Sequence, residues 1–254
     1  MRALNSIGMK FYPSFPIGVL LQWMLLFAGS PAVEAEQQGV EAQATVRVGE
    51  KDQAWRYLLH LPDSYEAGGE KKWPLLFFLH GSSLRGDDLE ALKRYGPPQF
   101  LDKKPDFPFI VVSPQLPAGG WPADSLKKLL DEVLSEYRVD PDQVCLTGTS
   151  LGGGGAWNFA ASAPGKFASL VPVCGYGDVS LARKLKELPI WGFHGDADLI
   201  VSITPHRKLI DAVNAAGGNA RLTVIPGGTH GDVIVPTYDK EALYEWILKQ
   251  RRGQ

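Results

Sequence analysis

The residues best suited to chemistry lie in the stretch 144–157, where a serine stands between two glycines. The apolar run 144–147 has the composition of a buried strand, and Gly148-x-Ser150-x-Gly152 follows it directly. A sharp strand-to-helix turn of this kind lifts a serine hydroxyl above the sheet edge, where it can act as a nucleophile. Side chains at the two glycine positions would collide in such a turn. The alternative is a glycine-rich turn before an ordinary helix that Ser150 caps.

A serine hydroxyl is a poor nucleophile until a base removes its proton, and the base needs an acidic partner that orients it. In this strand-turn-helix arrangement the chain order is serine, acid, histidine. His230 lies in the glycine-rich segment 226–232, between the last predicted strand and the last predicted helix, and we predict it as the base. Two other histidines follow Ser150. His194 ends an apolar strand and is predicted to be buried, whereas His206 is predicted to be exposed on a helix.

The acid is expected just past the predicted strand 189–193. Asp198 is far enough beyond this strand to turn back towards His230, and we assign the acid to it. Asp196 is the first alternative, although turn aspartates often accept hydrogen bonds from loop amides instead. Asp232 is a more distant alternative.

An acyl transfer also needs two amide donors for the negative charge that develops on the carbonyl oxygen. One is predicted to be the amide of Leu151, directly after the nucleophile. The other is predicted to be the amide of Ser82, in the loop after the apolar strand 74–79. We expect His80 to support this loop.

Trp121 and Tyr176 lie in loops at the same predicted end of the sheet. Their aromatic faces could stack on sugar or aryl groups of a substrate, and packing of the loops is the equally weighted alternative. Only residues 175–189 separate two of the predicted strands, which leaves room for one short helix over 179–188 and no cap domain. The pattern therefore predicts an open site.

Apolar strands alternate with helical segments through the rest of the chain, which indicates the α/β class. Such alternation predicts a mostly parallel, doubly wound sheet with helices on both faces. The predicted strands are 56–61, 74–79, 109–113, 144–147, 169–173, 189–193 and 220–225. The predicted helices include 123–137, 179–188, 204–216 and a closing helix around Leu243 and Ile247.

The N-terminal segment 1–35 has the pattern of a signal peptide. Arg2 and Lys10 give it a basic start, residues 17–28 are mostly apolar, and Val33 and Ala35 fit a small-x-small cleavage rule. The apolar run is too short to span a bilayer. We therefore expect export to the periplasm or the extracellular space, with residues 36–254 forming a single domain that is not inserted in a membrane.

The composition excludes some partners. A net charge of -2 and a pI near 6.2 give no electrostatic reason to expect binding to nucleic acid or to an anionic membrane. The two cysteines, Cys145 and Cys174, are expected to be free buried thiols, because the register of two parallel neighbouring strands would separate their sulfurs. The oligomeric state is left open.

With these residues in hand, the chain resembles the α/β-hydrolases. It is most similar to the group of predicted peptidases, dienelactone-hydrolase-like and phospholipase/carboxylesterase-like proteins, and feruloyl esterases. The resemblance rests on the motifs Phe78-Leu79-His80-Gly81, Arg85-Gly86-Asp87-Asp88, Val139-Asp140-Pro141-Asp142 and His194-Gly195-Asp196-Ala197-Asp198. It implies hydrolysis of carboxyl esters through an acyl-serine, with no metal and no organic cofactor.

The chain departs from this group at two positions of the nucleophile helix. Relatives usually carry an aromatic residue where this chain has Gly154, and commonly methionine where it has Leu151. Dienelactone hydrolases proper use a cysteine nucleophile, whereas position 150 is serine.

Three functions fit the pattern. The first is an exported serine esterase that acts on small or polysaccharide-linked esters. The second is a serine peptidase with the same triad, and the third is a non-catalytic carbohydrate-binding module that kept the fold. The intact triad argues against the third.

Overall fold

The centre of the molecule is one eight-stranded sheet. The computed structural model describes residues 40–48 and 51–253, with side chains described from Trp55 onwards. The predicted signal peptide, residues 1–35, lies outside the described residues. Within the described part of the chain, no helix combines the length and the apolar character needed to cross a membrane.

The strands follow one another in the order β1-β2-β4-β3-β5-β6-β7-β8. The β1–β2 and β2–β4 pairs are antiparallel, and the five other pairs are parallel. The strands are β1 (Val40–Val48), β2 (Lys51–His60), β3 (Trp73–Leu79), β4 (Ile110–Pro114), β5 (Val139–Thr149), β6 (Ser169–Val173), β7 (Ile190–Gly195) and β8 (Ala220–Ile225).

Helices and short 3-10 segments connect these strands. The α-helices are α1 (Pro98–Leu101), α2 (Ala123–Glu136), α3 (Leu151–Ser162), α4 (Ala182–Leu185), α5 (Ile203–Ala215), α6 (His230–Tyr238) and α7 (Glu241–Leu248). The 3-10 segments are Glu66–Gly68, Ser82–Leu84, Leu89–Arg94 and Val179–Leu181.

Side chains of the central strand β3 alternate between two apolar cores, one on each face of the sheet. Leu75, Phe77 and Leu79 enter the first core, together with α2, α3 and α5. Leu76 and Phe78 enter the second core, together with α1, α6 and α7. Full burial of such a side chain contributes roughly 1.5–3 kcal/mol. The helices therefore cover both faces of a mostly parallel sheet, which confirms the predicted fold class.

The connection between β6 and β7 is short and carries no cap domain. It holds the 3-10 segment Val179–Leu181 and the four-residue helix α4, so the single helix predicted over 179–188 is wrong in its extent. The Asp178 carboxylate accepts the Ser180 amide at 2.8 Å, and the Leu181 amide donates to the Asp178 carbonyl at 3.1 Å. These local bonds favour the tighter 3-10 turn at the start of the segment.

Candidate active site

Five parallel strands end side by side at one edge of the sheet. Leu79 of β3 lies opposite Gly148 of β5, Thr149 opposite Val173 of β6, and Gly195 of β7 opposite Ile225 of β8. Six of the predicted site residues lie at these ends or in the segments that follow them, and Trp121 lies in the segment that follows the neighbouring parallel strand β4. In sheets of this kind the loops at the carboxyl ends of the strands build the binding site.

Ser150 is the single residue between β5 and α3, and its backbone is strained. Its φ of 54° and ψ of −117° lie in a region that side chains rarely adopt. The Ser150 amide donates to the Val173 carbonyl at 2.9 Å, and the Ser150 carbonyl accepts the Gly154 amide at 3.0 Å. A Cβ atom at Gly152 would overlap the Leu79 carbonyl, so the steric role predicted for this glycine is confirmed.

Asp198 and His230 are in direct contact. The Nδ1 atom of His230, the first residue of α6, lies 2.7 Å from Oδ2 of Asp198. The second carboxylate oxygen, Oδ1, accepts the amides of Ile200 and Val201, each at 2.9 Å. The Asp198 side chain has no exposed area, whereas 13% of the His230 side chain is exposed. The carboxylate is thus fixed on both oxygens and presents one of them to the histidine.

These contacts keep Asp198 ionised. Burial alone would raise the pKa of its carboxyl, but hydrogen bonds from the Val201 amide, His230 and the Ile200 amide outweigh burial and lower the pKa. Because an ionised carboxylate has no proton to donate and can only accept hydrogen bonds, Nδ1 of His230 carries the proton. Nε2 of His230 is then the nitrogen left to accept a proton from another group.

Ser150 and His230 are held against the same end of β6. The backbone amide of Ser150 donates to the carbonyl of Val173. Cys174, which follows Val173, donates a hydrogen bond from its thiol to the carbonyl of His230 at 3.7 Å. Burial raises the pKa of the Cys174 thiol to about 12, so this sulfur is a neutral donor. Cys145 lies opposite Ser169 at the start of β6, and both cysteines are free and buried, as the register predicts.

The two alternative acids have other partners. Asp196 accepts the amide of Gly227 at 2.6 Å and so ties the β7 and β8 loops together. Asp232 accepts the Thr229 hydroxyl at 2.6 Å and the Thr229 amide at 3.1 Å, in a capping box that starts α6. Both carboxylates therefore stabilise loop or helix backbone, and Asp198 is the carboxylate that contacts His230.

His206 is fully buried, so its predicted exposure is wrong. It precedes Leu209 by three residues, Ile210 by four and Val213 by seven, which places it on the apolar face of α5. There its Nδ1 lies 2.9 Å from Nδ1 of His194. The helical spacing could have predicted this burial.

The hydrogen-bond partners of His194 fix the protonation of both rings. Its Nε2 lies 2.9 Å from the Val201 carbonyl and 3.3 Å from Oδ2 of Asp198, and since both oxygens accept, Nε2 carries the proton. Nδ1 of His194 therefore accepts from Nδ1 of His206. Burial lowers the pKa of His194. Burial also lowers the pKa of His206, to about 3, and the neighbouring His194 makes a smaller contribution in the same direction. A neutral histidine pair thus lies behind the carboxylate.

Cys174, His194 and Asp198 bring three possible metal-ligand atoms within 4.8 Å of one another. Each of these atoms has a protein partner. The thiol bonds the His230 carbonyl, His194 bonds Val201 and His206, and the carboxylate is held by two amides and His230. Hydrogen bonding among neutral and singly charged groups accounts for this cluster.

The amides predicted to bind the oxyanion both lie in first turns. Leu151 begins α3, and Ser82 begins the 3-10 segment Ser82–Leu84, so neither amide has a partner within its own helix. A Cβ atom built on Gly81 would lie 3.3 Å from Cβ of Ser150. The loop that carries Ser82 therefore passes directly beside Ser150.

His80 holds this loop from its buried side. Its Nε2 accepts the Leu116 amide at 3.0 Å, so Nδ1 carries the proton and donates to the Gly81 carbonyl at 2.7 Å. The pKa of His80 is lowered to about 4, mainly by burial. The hydrogen bond to Gly81 acts in the opposite direction, and the charge of Arg85 lowers the pKa further. A neutral, fixed imidazole thus supports the loop, as expected from the sequence.

The two aromatic residues flank the first turns of α3. Trp121 is partly buried; its Nε1 donates to the His80 carbonyl at 3.1 Å and its ring stacks on Trp55, with centroids 6.2 Å apart. The Tyr176 ring lies over Gly154 and is 41% exposed. Tyr176 therefore occupies the space that a side chain at position 154 would enter. Trp121 packs and supports a loop, whereas Tyr176 keeps an exposed face beside the site.

Acid should destabilise the protein below the ordinary histidine pKa of about 6.5. The folded-state pKa values of His80 and His206 are about 4 and about 3, so the unfolded chain binds protons that the folded chain cannot. Stability is then lost as the pH falls, by about 2 kcal/mol for each group at about pH 5. Urea unfolding at about pH 7.5 and about pH 5 measures this loss. The free energy of unfolding of the His206→Gln variant should fall less between the two pH values than that of the wild type. An equal wild-type free energy of unfolding at both would contradict the lowered histidine pKa values.

Comparisons with known proteins agree with this fold. The family model "Putative esterase" matches residues 120–243. No curated protein sequence matches the chain. Among solved structures, a thermostable esterase is similar with 28% identity and a TM-score of 0.71, covering 84% of this chain. The chain spans 63% of that esterase's own length.

Two other solved structures show similarity at the level of the fold. A ferulic acid esterase aligns with 19% identity and a TM-score of 0.62, over 83% of this chain and 96% of its own. An acylaminoacyl peptidase from Pyrococcus horikoshii aligns with 12% identity and a TM-score of 0.62, over 85% of this chain and 42% of its own.

The sheet, the sharp turn at Ser150 between β5 and α3, and these similarities place the chain in the α/β-hydrolase superfamily. Within it, the matching family model and the esterase at 28% identity support a hydrolase.

Proposed function

We propose that the protein is an exported serine hydrolase that cleaves carboxyl esters through an acyl-enzyme on Ser150. His230 is the general base and acid, and Asp198 orients it. The amides of Leu151 and Ser82 bind the oxyanion. The substrates are small soluble esters or acyl groups carried on a polysaccharide, and the reaction uses no metal and no organic cofactor.

The reaction follows from the protonation states of the site. Nε2 of His230 takes the Ser150 proton as Oγ attacks the ester carbonyl, and Asp198 stabilises the imidazolium that forms. The tetrahedral oxyanion receives hydrogen bonds from Leu151 and Ser82. His230 then gives its proton to the leaving alkoxide, which leaves an acyl-serine and a free alcohol. A water molecule then attacks the acyl carbonyl and gives a proton to the same histidine. The bond to Oγ of Ser150 breaks, His230 returns the proton to this oxygen, and the carboxylic acid leaves.

The observation that carries the proposal is the Asp198–His230 pair at 2.7 Å. It is joined by a serine held at a φ of 54°, whose amide bonds Val173, the residue before the Cys174 that bonds the His230 carbonyl. A buried ionised carboxylate that fixes a partly exposed histidine has little structural use. It is well suited to orient a base. The strained serine between β5 and α3 is the group such a base would serve.

A serine peptidase is the second candidate, because the same triad can open amides and an acylaminoacyl peptidase shares the fold. A panel of para-nitrophenyl acyl esters and chromogenic peptides separates the two functions, with Ser150→Ala as the control. We expect turnover of the esters that the control lacks, and little cleavage of the peptides. Peptide cleavage well above ester cleavage would favour the peptidase.

The export proposal rests on residues 1–35, with cleavage after Ala35. Expression of the full chain in a bacterial host, followed by N-terminal sequencing of the periplasmic and medium fractions, tests it. A mature N-terminus at Glu36 supports export, whereas an intact chain that stays in the cytoplasm contradicts it.

An uncapped site should give smooth saturation kinetics without interfacial activation. Interfacial lipases gain rate when a lipid surface opens an apolar cover, but the connection between β6 and β7 holds one 3-10 turn and the four-residue α4. Arg183 and Lys184 are exposed there, and Ala182 and Leu185 are buried. The measurement is a rate curve for a short-chain ester taken through its solubility limit. A sharp rise at the onset of aggregation would refute the open site.

A further inference from the structure

The backbone of the loop between β3 and the Ser82–Leu84 segment is held at almost every polar atom. The His80 carbonyl accepts from Trp121, and the Gly81 carbonyl accepts from His80 and, at 3.2 Å, from the Leu84 amide. The Gly81 amide donates to the hydroxyl of Tyr95 at 3.1 Å. The Gly81 amide is therefore engaged, and the next amide along the chain is that of Ser82.

Tyr95 holds the loop on both sides of Ser82. Its hydroxyl, Oη, accepts the Gly81 amide and lies 3.2 Å from Oγ of Ser83. A Cβ atom built on Gly81 would lie 2.8 Å from this hydroxyl and 3.3 Å from Cβ of Ser150. The hydroxyl therefore lies at the side of the loop that passes Ser150. No spacing pattern in the sequence marks Tyr95.

Tyr95 is itself well fixed. Its ring packs against two apolar clusters, one formed by the α1, α6 and α7 side of the sheet and one that contains Leu84, Leu89 and Leu92. The next residue, Gly96, has a φ of +78° and lies against the ring of Phe78, and two prolines follow it. A half-buried side chain on a rigid segment loses little further freedom when it holds the loop.

We propose that Tyr95 is a positioning residue for the oxyanion hole. Its hydroxyl binds the residues before and after Ser82 and so directs the Ser82 amide to the space beside Ser150. An oxyanion donor contributes through its preorganisation, so losing this hydroxyl should weaken binding of the transition state and leave binding of the ester largely unchanged. The inference rests on the proposed ester hydrolysis.

Tyr95→Phe tests the inference, since it removes one oxygen atom and keeps the ring. We expect kcat for a short para-nitrophenyl ester to fall roughly 10- to 100-fold, with KM changed less than about threefold. The affinity for a boronic acid, which forms a tetrahedral adduct with the serine, should fall by a similar factor. Ser83→Ala removes the second contact alone and should have a smaller effect of the same kind.

Tyr65→Phe is the matched control. The Tyr65 hydroxyl also accepts a backbone amide, that of Arg138 at 2.9 Å, but it lies near Trp73 at the opposite end of β3. Its loss should leave kcat and the boronic acid affinity unchanged, although thermal stability can fall. If Tyr95→Phe does not fold, Gly81→Ala displaces the same hydroxyl and should separate kcat from KM in the same way.

The outcomes distinguish this inference from the proposed function. A folded Tyr95→Phe variant with wild-type kcat and boronic acid affinity would overturn the positioning role alone. An increase in KM with an unchanged kcat would overturn it as well. A wild-type protein that turns over no ester would overturn the proposed function and the inference with it.

Discussion

Ser150→Ala should lower ester turnover by on the order of 10⁵- to 10⁶-fold while the protein stays folded. The variant loses the only atom that can form the acyl-enzyme. It keeps the turn, because the geometry depends on the glycines at 148 and 152 and on the bonds from Ser150 to Val173 and from Gly154 to Ser150. Initial rates on a short para-nitrophenyl ester measure the loss, and thermal unfolding checks the fold.

The residual rate of this variant is informative. The oxyanion amides of Leu151 and Ser82 and the Asp198–His230 pair remain in place, so a small rate above that of water is expected. Ser162→Ala is a suitable control, because Ser162 ends α3 and its hydroxyl donates to the Phe159 carbonyl of the same helix at 2.9 Å. Turnover by Ser150→Ala near the wild-type rate would exclude the serine mechanism.

Asp198→Asn should cut kcat by about 10⁴-fold. The amide of asparagine can present its NH₂ group to Nδ1 of His230, which would move the imidazole proton to Nε2, the nitrogen that must accept from Ser150. The two backbone amides that bind Oδ1 should still hold the side chain in place. The loss should therefore appear in kcat, with the fold retained. Steady-state kinetics at about pH 8 measures it.

Asp196→Asn is the matched control for this prediction. The two carboxylates are separated by one residue in the same loop, but Asp196 binds the amide of Gly227. Asparagine can accept the same bond with its carbonyl oxygen, so kcat should change less than about tenfold. If the two variants show the reverse order, the acid is Asp196 and the assignment fails by two residues.

The apolar patterns were sufficient to predict the central sheet. The runs around Phe77, Val111 and Val171 are buried on both faces, and short continuous apolar runs of this kind are typical of strands in a parallel sheet. Strand ends were less predictable. β5 begins at Val139, before a proline and two aspartates, since it pairs with Trp73 of β3 there and shifts register before Leu75.

β1, α1 and α6 are not among the elements predicted from the sequence. β1 (Val40–Val48) alternates apolar and polar residues and pairs with β2 in an antiparallel edge, so the period-two pattern was available. The glycines around His230 favour a loop over 226–232, and Pro236 interrupts the helical pattern that follows, so this pattern does not indicate α6. Thr229 and Asp232 form its capping box, and that spacing is the signal that could have found it.

Chain order predicts the members of the candidate site, and their catalytic roles stay predictions. Ser150, Asp198 and His230 were chosen from the sequence of strands and loops, and the structure places Asp198 against His230. The supporting contacts were not predictable, since they join distant segments. Tyr95 bonds Gly81, and His206 bonds His194, through tertiary packing. The helical spacing of His206 indicates that it is buried but does not indicate its partner.

The most direct test of the account is to map the residue that a fluorophosphonate modifies. Such probes phosphonylate an activated serine, and digestion followed by tandem mass spectrometry locates the adduct. We predict one adduct, on Ser150, that is absent from Ser150→Ala and forms far more slowly in Asp198→Asn. An adduct on another residue, or no adduct on a protein that turns over esters, would contradict the serine mechanism.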